Sequence, residues 1–224
     1  MQKTVAIIHY NTPALTYALV RSIWKHTPDC RVVVFDNSDK LPFPPTKGVE
    51  VITNCWGDVI NFDALLERYP DKEPTCNNHA SSKHIASVDY LFDALPAGFV
   101  LMDSDILIKK DITPFFDKRV VWSGTIEDKP LYWFMAKRVL PWLLWINVPM
   151  CKRNGIRFWH EGKSYKLSHS GVPFYDTGAS FFEDCAALPH KELNIFDYME
   201  HFVGASYRNV SYDEWLEQHE DLYK

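Results

Sequence analysis

Between Ala97 and Asp111 the chain reads AGFVLMDSDILIKKD, an apolar run of strand length, then Asp-Ser-Asp, then a second apolar run. Such a run predicts a buried strand, and residues two apart on a strand point to the same side. Asp103 and Asp105 are therefore expected to crowd two negative charges together. That is tolerable only with a cation, a shared proton or full solvation.

The residues around this stretch predict the fold that must hold it. VAIIHY and RVVVFD are dense, β-branched runs of strand length, and VEVIT reads as a third strand after the proline-rich turn PFPPTKG. Thr12 followed by Pro13 is a helix N-cap and first-turn pair, and Leu15, Leu19 and Ile23 then recur at helical spacing. Phe62, Leu65, Leu66 and Tyr69 predict a second helix. Ile85, Val88, Phe92 and Leu95 predict a third that runs into the strand GFVLMD. Alternating strands and helices with buried strands mean an α/β fold with a mainly parallel central sheet flanked by helices. No repeat, low-complexity tract or linker divides the chain, so residues 1–224 are expected to form a single domain.

Ligands of such sheets sit at the carboxyl ends of the strands. Three polar clusters are expected there: His9, Tyr10 and Asn11 after the first strand, Asp36 and Asn37 after the second, and Asp103 to Asp105 after the central one. A dinucleotide-binding Rossmann domain would need GxGxxG after its first strand, but HYNTPA has no glycine, and a P-loop is absent too. A diphosphate would therefore need a metal, Mg²⁺ or Mn²⁺ held by one or two carboxylates. Asp36 reads equally as a turn residue of DNSD. Lys83 and His84, near the start of the third helix, fit either a phosphate contact or a solvated face.

The net charge of −5 gives no electrostatic footprint for nucleic acid. The five cysteines are scattered without a CxxC, which fits a reduced, cytoplasmic protein. The first residues, MQKTVAIIHYN, read as a strand rather than a signal peptide, and no apolar stretch is long enough to cross a bilayer.

These features together resemble the glycosyltransferases of the GT-A fold, whose Asp-any-Asp motif binds the metal and diphosphate of a nucleotide sugar. HYNTPALTYALVRSI followed by VVVFDNSD is similar to the opening of family 2-type sugar transferases. HFVGASYR, from His201 to Arg208, resembles a His-x-x-Gly-x-Ser-Trp sequence of such enzymes whose His completes the metal site, with Tyr207 in place of the Trp. The resemblance covers residues 4–110 well and the rest in patches.

It implies a donor-binding half (1–110) and an acceptor-binding half (111–224). Asp103, Asp105 and His201 would hold Mn²⁺ or Mg²⁺. Asp36, with Tyr10 and Asn11, would hold the nucleoside of a donor expected to be a UDP-sugar, and Asp103 would meet its diphosphate. The acceptor would be a hydroxyl of a glycan or lipid-linked sugar, with Asp176 or Asp184 as general base. Trp122, Trp159 and Tyr175 would stack on sugar faces or fill core. A nucleotidyltransferase and a non-catalytic sugar-binding module are the rival readings.

KRVLPWLLWINVPMCKR, residues 137–153, is apolar between basic pairs. It reads either as a buried helix or lid, or as an anchor lying on the inner face of an anionic membrane, which would make the protein peripheral there.

Overall fold

The structure is a computed structural model that describes residues 2–67, 78–127, 137–158, 165–166, 173–174 and 177–202. The first half folds as β1 (Lys3–His9), α1 (Pro13–His26), β2 (Cys30–Asp36), β3 (Val49–Thr53), α2 (Phe62–Glu67), α3 (Asn78–Ala94) and β4 (Phe99–Asp103). A short β5 (Ile106–Ile108) follows, then β6 (Trp122–Gly124), β7 (Ile126–Glu127), β8 (Arg138–Val139) and β9 (Leu143–Ile146). The chain continues through α4 (Val148–Arg153), β10 (Tyr165–Lys166), β11 (Pro173–Phe174), α5 (Ala179–Cys185), β12 (Lys191–Glu192) and β13 (Met199–His201). Tyr69, Trp159, Tyr175, Asp176 and the part of HFVGASYR after Phe202 lie outside the described residues.

A seven-stranded sheet in the order β12-β6-β9-β4-β1-β2-β3 carries the fold. Strands β1 to β4 are mutually parallel, β9 runs against β4 and β6, and β6 and β12 resume the original direction. Strands from both halves of the chain thus share one sheet, as expected for a single α/β unit.

Alternation along the strands divides the core in two. Ala6, Ile8, Phe99 and Leu101 meet Ile85, Val88 and Phe92 of α3 on one face. Val5, Ile7, Val100 and Met102 meet Leu19, Val20 and Ile23 of α1 on the other. Burial on both faces explains why these strands read as unbroken apolar runs.

Two expectations are corrected. The Asp-Ser-Asp stretch is not one continuous strand: β4 ends at Asp103, the chain turns at Ser104 and Asp105, and β5 then leaves the main sheet to pair with β13. The segment 137–153 is not a single helix, and its apolar residues Val139, Leu140 and Leu143 to Ile146 are buried. Leu143 to Ile146 form the antiparallel strand β9 between β4 and β6, and all four side chains are buried. A strand covered on both faces shows the same aperiodic apolar run as a buried helix, so periodicity could not separate the two. No helix among the described residues is long and apolar enough to cross a membrane.

Candidate active site

The carboxyl ends of β1, β2 and β4 do gather the expected polar residues, but on two different faces. Asp103 pairs in register with Ile8 and shares its face with Leu101, towards α3. There His84 of α3 places Nε2 3.0 Å from Asp103 Oδ1. The other ring nitrogen, Nδ1, lies 3.3 Å from Thr177 Oγ1. The result is a hydroxyl, imidazole and carboxylate in line, from three separate elements.

Thr177 is held there by its neighbour. Gly178 adopts φ +91°, and a Cβ at this position would stand 2.2 Å from the Val139 carbonyl oxygen of β8. Only glycine fits this left-handed, close-packed corner. That the threonine reaches a histidine ninety-three positions earlier was not legible in the sequence.

Asp105 forms the second carboxylate–imidazole pair. Its Oδ1 lies 3.5 Å from His201 Nε2, and the Phe202 N–H donates to its carbonyl at 2.9 Å, which fastens the end of β13 to the turn. The His201 ring lies against the Trp142 indole, with centroids 4.0 Å apart. Its Nδ1 is buried without a hydrogen-bond partner among the described residues. Buried polar atoms are rarely left so, and an orphan of this kind calls for an explanation. The Thr12 hydroxyl does not cap α1; it meets the Ser104 hydroxyl at 3.1 Å and ties the start of that helix to the turn between the two aspartates.

Asp36 faces the opposite way. It pairs in register with His9, on the α1 face, and is only 1% exposed. Oδ1 accepts the Ser38 N–H at 2.9 Å and Oδ2 accepts the Phe43 N–H at 2.7 Å, so the carboxylate closes its own loop. Both carboxylate oxygens of Asp36 are thus engaged by its own loop, on the face opposite to Asp103. Asn11 is likewise occupied: at φ +54° its Oδ1 accepts from the N–H groups of Lys40 and Leu41, and its amide donates to Asp39. His9 fills the space behind, with Nδ1 2.7 Å from Thr16 Oγ1 and Nε2 3.3 Å from the Leu41 carbonyl. Burial pushes its imidazole below the ordinary range, against the pull of Asp36.

Of the remaining expected residues, Tyr10 is half-exposed at the end of β1. The Lys83 ammonium sits over the Phe62 ring, 5.3 Å from its centroid, which binds α3 to α2 rather than leaving a bare cation. Asp184 is in the last turn of α5, six residues and about 9 Å of helix rise from the Gly178 corner. Trp122 is core, stacked on His190 at 4.6 Å. Among the described residues no three His, Cys, Asp or Glu side chains form a ready-made cation cage. The carboxylates of Asp103 and Asp105 are instead each engaged by an imidazole.

No protein-family model matches the chain, and no curated protein matches it. Solved structures of similar fold include the galactosyltransferase LgtC in complex with donor and acceptor sugar analogs, 13% identical over 67% of this chain and 59% of that one, with a TM-score of 0.43. Glycosyltransferase GlyE of Streptococcus pneumoniae is 11% identical over 97% and 53%, at 0.43. Mannosyltransferase PcManGT of Pyrobaculum calidifontis, in complex with GDP-Man and Mn²⁺, is 13% identical over 86% and 55%, at 0.42. The chain spans between about half and three-fifths of the length of these proteins.

Proposed function

We propose that this chain is a glycosyltransferase that moves a sugar from a nucleoside diphosphate donor to a hydroxyl of a glycan or lipid-linked sugar. The observation that carries the reading is the pair of carboxylate–imidazole contacts, Asp103 with His84 and Asp105 with His201, at the carboxyl end of β4. Ligands of open α/β sheets bind at that edge, and the first strand has no glycine cradle for phosphate.

Two carboxylates and an imidazole are a donor set of the kind that suits Mn²⁺ or Mg²⁺. Asp103, Asp105 and His201 would hold that cation, which when bound neutralises charge on the leaving diphosphate. His84 fixes the Asp103 carboxylate from the α3 side, and Thr177 fixes His84. Trp142 shields the His201 ring. The acceptor hydroxyl needs a base; we assign this to Asp176, the chain neighbour of Thr177, in preference to Asp184 at the far end of α5.

The test is release of nucleoside diphosphate from a panel of donor sugars, with and without acceptor. We expect release that stops in EDTA, returns with Mn²⁺, and falls at least about a hundredfold in Asp105→Asn, as for loss of transition-state charge stabilisation. Undiminished turnover in EDTA and in the variant would overturn the metal assignment. Release of pyrophosphate from a nucleoside triphosphate would instead identify a nucleotidyltransferase.

A further inference from the structure

With Asp36 turned to the α1 face, the donor's base needs another partner on the face of Asp103. The loop after β3 supplies one. Trp56 is 82% exposed, at the carboxyl edge of the sheet. At a ligand-binding edge an exposed indole offers a large flat face for contact.

The loop that carries it is closely tied. Asn54 is buried; its side-chain oxygen accepts the N–H groups of Val59 and Ile60 at 3.0 and 2.8 Å. The Asn54 N–H donates to the Asp36 carbonyl at 2.8 Å, and the Gly57 N–H returns to the Asn54 carbonyl at 3.1 Å. Gly57, at φ +76°, makes the turn beside Trp56. The indole is thus presented by a fixed loop, which spares a ligand the entropy of ordering it.

The loop also lies on the correct face. The Asn54 side-chain amide donates to Asn37 Oδ1 at 3.1 Å, and the Asn37 amide donates to the Ser87 hydroxyl of α3 at 2.8 Å. Ser87 is one turn from Lys83 and donates to its carbonyl. Ile60 and Phe62 pack against the α3-side core. One hydrogen-bonded path therefore joins the Trp56 loop to the helix whose His84 holds Asp103.

Register gives the separation. Asp103 pairs with Ile8, Ile8 with Phe35, and Phe35 with Ile52, so the end of β3, from which the Trp56 loop leaves, stands three strand spacings from Asp103, about 14 Å. With the diphosphate at Asp103, the group that reaches this far is the base at the other end of the nucleoside, not the transferred sugar. We propose that Trp56 is the platform on which the donor's nucleobase stacks. Stacking accepts any base with a flat face, so purine and pyrimidine donors both bind. The inference rests on the glycosyltransferase reading above.

Calorimetric titration with UDP, GDP and inorganic pyrophosphate, each with Mn²⁺, tests it on the full chain. In Trp56→Ala, UDP and GDP should both bind about tenfold or more weakly, as for loss of one base–aromatic stack, while pyrophosphate binding stays unchanged. Trp56→Phe should restore most of the loss. Undiminished UDP and GDP binding by Trp56→Ala overturns the platform and leaves the transferase reading standing. A parallel loss of pyrophosphate binding overturns it as well, since the residue then acts on the phosphate end. Wild-type protein that binds none of the three overturns the transferase reading itself.

Discussion

Asp36 and Asp103 look alike in sequence, each an acid that ends a buried strand, yet they stand on opposite faces of the sheet and are satisfied differently. Asp36 is held by two backbone N–H groups of its own loop. Asp103 is met by the side chain of His84, from another element. A carboxylate consumed by nearby backbone is part of the fold, because those donors go nowhere else. One met by an imidazole retains a partner that a ligand or cation can replace. The same contrast separates Asn11, which caps its loop, from Trp56, which the loop presents outward.

The largest expected effect tests the structural side. Asp36→Ala strands two N–H groups on the α1 side of the sheet and should cost about 3–5 kcal/mol of folding stability, read by denaturant unfolding. Undiminished stability together with weaker nucleotide binding would reverse the assignment of the two faces. Next, Asp103→Asn should lower turnover about a hundredfold, near 2.7 kcal/mol, while unfolding shifts by less than about 1 kcal/mol, since an amide oxygen still accepts from His84. If Asp103→Asn destabilises the chain as much as Asp36→Ala, the distinction between the two acids collapses.

The smallest effect is a pH dependence on the α1 side. Burial favours neutral His9 in the folded state, so its folded value lies below the unfolded one near 6.5. Its contribution is complete above pH 6.5 and is lost as the pH falls through that value towards the folded one, because the unfolded chain takes up the proton first. The urea midpoint of the wild-type protein should therefore decline as the pH drops below about 6.5. His9→Gln should decline less steeply. Equal slopes in the two proteins would show that His9 does not titrate on unfolding.

The strands of the first half were legible because burial on both faces leaves dense runs such as VAIIH and RVVVFD, and Thr12-Pro13 marks the start of α1 at its observed place. What joins the strands was less so. The face on which an acid emerges depends on where its strand stops and pairs, and a shift of one residue reverses it. Asp36 and Asp103 differ by that one step, His9 against Ile8. The Trp56 loop and the Thr177–His84 contact escaped for a related reason. Each is created by long-range packing, of Asn54 on Asn37 and of Gly178 on Val139, between residues with no common local pattern.

The position of β9 also governs the order in which the chain can be completed. Although β6 precedes β9 in sequence, it reaches the sheet only through it, since β9 hydrogen-bonds to β4 on one side and β6 on the other. During synthesis the growing edge at β4, with its apolar side chains Phe99 to Met102, therefore stays open until residue 146 has emerged. An open apolar edge is a template for wrong partners. A nascent chain halted short of β9 carries that hazard, and the insertion of a single reversed strand removes it.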